Sequence, residues 1–111
     1  MSDGGATVQL DTVSDPARER VVVVVRGEVD AHTAPQLRAV LLASLDEGMR
    51  HVEIDASGLD FVDSTGVGVF VEVLKRLRGV DGALVIRSAS TELRRLLTIT
   101  DLLGHIDLVD P

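Results

Sequence analysis

Arg20-Val21-Val22-Val23-Val24-Val25-Arg26-Gly27-Glu28-Val29-Asp30 is the stretch on which the fold turns. Consecutive valines favour an extended chain, because branching at Cβ restricts χ1 and lowers helix propensity. The run does not alternate with polar residues, which predicts a strand covered on both faces near the centre of a sheet. Gly27 to Asp30 close that strand.

Upstream, residues 7–13 alternate, with Val8 and Leu10 on one face, and read as a half-exposed first strand. Asp15-Pro16 marks a turn, so short that the first two strands are expected to be antiparallel. Downstream, Thr33 stands where a helix cap belongs and Pro35 falls in the first turn. Leu37, Val40, Leu41 and Leu45 follow helical spacing, and Gly48 suits the residue just past the helix end. Val52 and Ile54 mark a short strand ending at Asp55, and residues 57–63 read as a loop. From Ser64, the residues Val67, Phe70, Val71, Leu74 and Leu77 form an apolar stripe. Lys75, Arg76 and Arg78 crowd the end of that helix, where cations complement its dipole.

Gly79 and Gly82 then break the helix, and residues 83–86 predict another strand. Ser90 can cap a third helix through Leu93, Leu96 and Leu97; residues 98–103 suggest a further helical turn and 106–109 a last strand. Strands alternating with helices imply parallel pairing. The expected fold is a single α/β domain over residues 7–110, a mixed sheet of four to five strands with helices packed on it, after a flexible terminus at 1–6.

Composition narrows the function. The 111 residues are 45% hydrophobic and 26% charged, enough for one core. The net charge of −7 and only two aromatic residues argue against nucleic acid, which calls for clustered cations and stacking platforms. The same charge favours a partner that is locally basic. Without cysteine there is no disulfide or thiolate metal site, and the carboxylates and histidines show no ligand spacing. No cofactor, metal or membrane association is expected; no apolar run approaches the ~20 residues of a membrane span, and a cytoplasmic monomer is the plain expectation.

The informative segment is Asp60-Phe61-Val62-Asp63-Ser64-Thr65-Gly66-Val67-Gly68, at a loop-to-helix junction. Ser64 is expected as the helix cap, which would leave Thr65 within the first turn with its hydroxyl less freely presented. Gly66 and Gly68 in that turn each cost up to about 1 kcal/mol relative to Ala, and would leave backbone open to the approach of another surface. A capped helix start is the bland reading of such a run. A nucleophilic serine is the other, but Val62 stands where an elbow needs Gly, and only His32, beside Asp30, could serve as base. No phosphate-loop or dinucleotide fingerprint occurs. Enzymatic activity is not expected.

Gly27-Glu28-Val29-Asp30, the helix start near Thr33-Ala34-Pro35, and then Phe61-Val62-Asp63-Ser64-Thr65-Gly66-Val67-Gly68-Val69-Phe70 resemble the STAS family. The stretch Leu96-Leu97-Thr98-Ile99-Thr100-Asp101-Leu102-Leu103 fits the same resemblance, which is closest to the stand-alone bacterial anti-sigma factor antagonists. What the resemblance implies is a partner switch. Ser64 would be phosphorylated by an anti-sigma factor that is also a serine kinase using ATP. The unphosphorylated antagonist would bind that kinase and release the sigma factor, and a serine phosphatase would restore the modified form. Asp30 and Asp63 would lie near the acceptor, and with Ser64, Thr65, Gly66 and Gly68 they make up the expected partner-binding residues. Scaffolds in signalling complexes and small subunits of lipid-transport ATPases share the family and form the rival reading.

Overall fold

The structure, a computed structural model, describes residues 5–99 and 105–110. The chain runs β1 (Val8–Asp15), a short 3-10 turn (Pro16–Arg18), β2 (Arg20–Val29), α1 (Ala34–Asp46), β3 (His51–Val62), α2 (Ser64–Arg78), β4 (Ala83–Arg87), α3 (Thr91–Ile99) and β5 (Asp107–Val109). The five strands form one sheet in sequence order. β1 pairs antiparallel with β2, and every later pair is parallel, each crossover between β2 and β5 carrying one helix. The expected α/β fold with a mixed sheet is present. The first four residues of the anticipated flexible terminus lie outside the described residues, as do Thr100 to Leu103 of the anticipated last helical turn.

The valine run corrects one expectation. Val21, Val23 and Val25 are buried, but Val22 and Val24 are only partly covered. The core takes one face of the sheet: these three valines, Val52, Ile54 and Ala56 of β3, and Leu84 and Ile86 of β4. Leu37 and Leu41 of α1, Phe70 and Leu77 of α2, and Leu93 and Leu97 of α3 close over that face. The other face is open and mixed. Val22, Glu53 and Val85 stand in register there, as do Val24, Asp55 and Arg87, with Arg87 bridging to Glu53 at 2.9 Å. β2 is therefore covered on one face only, and the strand at the middle of the sheet is β3.

The predicted loop at 57–63 is also corrected. β3 runs on to Val62, twelve residues in all, pairing with the second half of β2 from Arg26 to Val29. Two register irregularities, at Val24/Arg26 and Gly27/Glu28, absorb the mismatch. Gly27 makes the second possible. Its φ of +100° favours glycine, and a Cβ there would sit 2.4 Å from the Thr7 carbonyl oxygen, which the Glu28 amide contacts at 2.9 Å. At the end of α1, Gly48 (φ +92°) does occupy the expected position: its amide donates to the Leu45 carbonyl and the Met49 amide to that of Ser44. Ser90 caps α3 as anticipated, its hydroxyl accepting from the Leu93 amide at 3.0 Å.

Candidate functional site

Val29 and Val62 are paired neighbours at the ends of parallel strands, so Asp30 and Asp63 leave the sheet side by side. The Asp63 amide donates to the Val29 carbonyl at 3.1 Å, tying the two exits together. The motif residues thus gather beyond the carboxyl ends of β2 and β3, where open parallel sheets commonly place their sites.

The cap of α2 is Asp63, not Ser64. Its backbone is extended, and its carboxylate accepts from the Thr65 amide at 2.8 Å and the Gly66 amide at 3.3 Å. Ser64 is the first helical residue. It is exposed, and among the described residues its hydroxyl has no hydrogen-bond partner. The physical reason is backbone conformation: Asp63 is the last extended residue and Ser64 is already helical, so the carboxylate of Asp63 is the side chain placed to accept the first free amides. This removes the capping argument for Ser64 over Thr65, since Thr65 is exposed as well. Thr65 instead lines a cleft of about 370 Å³ between α1 and α2, together with Ala31, Ala34, Pro35 and Val69.

The two glycines part company. Gly66 is buried, and a Cβ on it would lie 2.6 Å from Val62 Cγ2 and 2.7 Å from Val29 Cγ1. It seats the helix on the strand ends and offers no approach to a visitor, contrary to expectation. Gly68 is exposed with open space where a Cβ would be. Val67 and Val69 face the core.

Asp30 builds the other half of the site. Its carboxylate accepts from the His32 amide at 2.8 Å and the Thr33 amide at 3.1 Å. Desolvation pushes this carboxyl up, but the two amides, the Thr33 hydroxyl and nearby His32 outweigh it and hold it below the usual carboxylate range. Thr33 occupies the cap position of α1 without capping it. Fully buried, its hydroxyl donates to the Glu28 carbonyl at 2.7 Å and accepts from the Asp30 amide at 3.0 Å. Sequence reading missed this role; an Asp followed three residues later by Thr before a helix was its only signal. α1 and α2 are then clamped by Arg38, which donates to both Glu72 oxygens at 2.8 and 2.7 Å.

Nucleophilic chemistry finds no geometric support. No histidine contacts the Ser64 hydroxyl among the described residues, and His51 begins β3 at the opposite end of the strand from Ser64. Among the described residues no group of His, Asp and Glu could hold a metal, and no helix is long and apolar enough to cross a membrane.

A small α/β domain presenting an unpaired serine at a strand-to-helix junction is thus the class that fold and site define. Residues 8–110 match the STAS domain model. An anti-sigma-B factor antagonist of Staphylococcus epidermidis is 40% identical over 87 residues, spanning 77% of this chain and 81% of that protein. The anti-sigma factor antagonist SpoIIAA in its unphosphorylated form superposes with a TM-score of 0.76 at 26% identity, over 95% of this chain and 89% of that one. The phosphorylated form of the Bacillus cell fate determinant SpoIIAA gives 0.72 at 27% identity, over 92% and 90%. The chain belongs to the STAS domain family.

Proposed function

We propose that this chain is an anti-sigma factor antagonist, and that Ser64 is its switch. The unphosphorylated form binds an anti-sigma factor that is also a serine kinase and so releases the sigma factor. Phosphate on Ser64 ends that binding, and a serine phosphatase restores it. The observation that carries the reading is the exposed, unpartnered Ser64 hydroxyl at the first position of α2, beside Asp63. The relatives' names and the SpoIIAA structures in two phosphorylation states support the same role.

Local electrostatics support a switch that acts on the surface. A phosphate adds about −1.5 to −2 charge. A helix start normally draws such a group onto its free amides. Here Asp63 already occupies the amides of Thr65 and Gly66, so the phosphate stays outward beside a carboxylate. It adds bulk and a desolvation cost to a face that the complex must bury, and it leaves the fold unchanged.

The test is incubation of the purified chain with ATP and extract of its source organism, followed by mass spectrometry. ATP-dependent phosphate on Ser64, abolished in Ser64→Ala, is the expected result. An extract that phosphorylates other proteins but leaves this chain unmodified would favour the scaffold role instead.

A further inference from the structure

Two phenylalanines exist in this chain, and the fold treats them oppositely. Phe70 is entirely buried in α2, whereas Phe61 is 51% exposed at the end of β3. Phe61 borders a cleft of about 250 Å³ whose other walls include Leu59 and, from α3, Glu92, Arg95 and Leu96. Ile99, one turn beyond Leu96 along the same helix, is 73% exposed and extends the apolar surface. Asp60 and Glu92 line it too, against the single lining cation Arg95. Asp63 and Asp30 follow at the neighbouring strand ends. An apolar slot with a net acidic lining fits an apolar side chain flanked by a basic residue.

Its distance from the acceptor says who brings that residue. Phe61 lies three positions before Ser64, a chain span of at most about 11 Å. A standard interface covers about 800 Å² on each partner, a disc of roughly 16 Å radius. A protein seated over Ser64 therefore reaches the Phe61 cleft. Aromatic side chains in such positions dominate binding energy out of proportion to their area.

We propose that the cleft around Phe61 is the anchoring pocket for the kinase that modifies Ser64, receiving an apolar side chain of that kinase with a basic residue paired to Glu92 and Asp60. The inference rests on the switch proposed above and extends its docking face from the start of α2 across the end of β3 onto α3.

The probe is the kinase purified from extract of the source organism by following its ATP-dependent labelling of Ser64. Phe61→Ala is expected to raise the antagonist concentration for half-maximal labelling roughly ten- to hundredfold. The maximal rate and the labelled residue stay those of wild type, and the melting temperature falls by no more than about 3 °C. Glu92→Arg raises the same concentration with the fold retained despite the unfavourable cation in the first turn of α3, and Lys75→Ala at the far end of α2 leaves it unchanged. Wild-type half-saturation in Phe61→Ala or Glu92→Arg overturns the inference while leaving the switch intact. A melting-temperature loss in Phe61→Ala as large as that of Leu97→Ala also overturns it, by assigning the ring to the chain's own packing. Wild-type Ser64 that takes up no phosphate overturns the switch itself, and this inference with it.

Discussion

Asp63 does two jobs with one side chain and one amide. Its carboxylate starts α2 and its N–H holds β3 to β2, so the residue before Ser64 is structural whatever its role toward a partner. Asp63→Ala is expected to cost about 1 kcal/mol of stability in a denaturant titration, the value of a lost acidic cap. Gly66 and Gly68 separate packing from access. Gly66→Ala drives a methyl into Val29 and Val62, an overpacking loss of about 1–3 kcal/mol that exceeds the helix-propensity gain of up to about 1 kcal/mol. Gly68→Ala meets nothing and stabilises by about 0.4–1 kcal/mol, while its methyl weakens partner binding if that surface is a docking face. Melting curves and an affinity measurement on the two variants check both halves. At this scale the junction at Ser64 was legible from its neighbours, but the identity of the cap, Asp63, was not. Asp and Ser both cap well, and only the extended backbone of Asp63 decides between them.

The segment between β2 and α1 is an element organised by one acid and one alcohol. Asp30 is held below the ordinary carboxylate range, so its contribution to stability is fully present above about pH 4 and disappears as the pH falls through its lowered folded value. Wild type is therefore expected to exceed Asp30→Asn in stability at neutral pH. The two curves should draw together on acidification below about pH 4, as read by urea titrations at stepped pH. A gap independent of pH would remove the carboxylate from this account. The helices were legible here because apolar spacing, Pro35 and Gly48 act locally. The second half of β3 was not: Ser57, Gly58 and Asp60 are turn formers in isolation, and it is pairing with Arg26 to Val29 that holds them extended. The valine run likewise identified a strand, but no local signal says that all three helices close over the same face of the sheet.

Across the whole molecule charge is not evenly spread. Glu28, Asp30, Asp60, Asp63 and Glu92 lie at the strand ends near Ser64 with Arg95 among them, while Lys75, Arg76 and Arg78 close α2 at the other end, where Asp46 pairs with Arg76. Under the proposed switch, a basic partner would be steered toward the end that carries Ser64. The association rate with the purified kinase is expected to fall steeply as salt rises toward about 1 M, where screening shortens to ~3 Å, with the dissociation rate changing far less. Stopped-flow or surface-binding kinetics over a salt series measure both, and a salt-independent association rate would discard steering. Net charge and the scarcity of aromatic residues were visible in the sequence; the arrangement of the charges required the parallel register that brings Asp30 beside Asp63.

Gly66, wedged against Val29 and Val62, has a consequence in time. With the start of α2 resting directly on two strand ends, the face proposed for docking is already assembled in the free chain. Recognition then has no slow conformational step in front of it, and exchange between partners is paced by how long each complex lives. Under the switch proposed above, response time would be tuned through the residence of the kinase on this surface, leaving this chain as a fixed part.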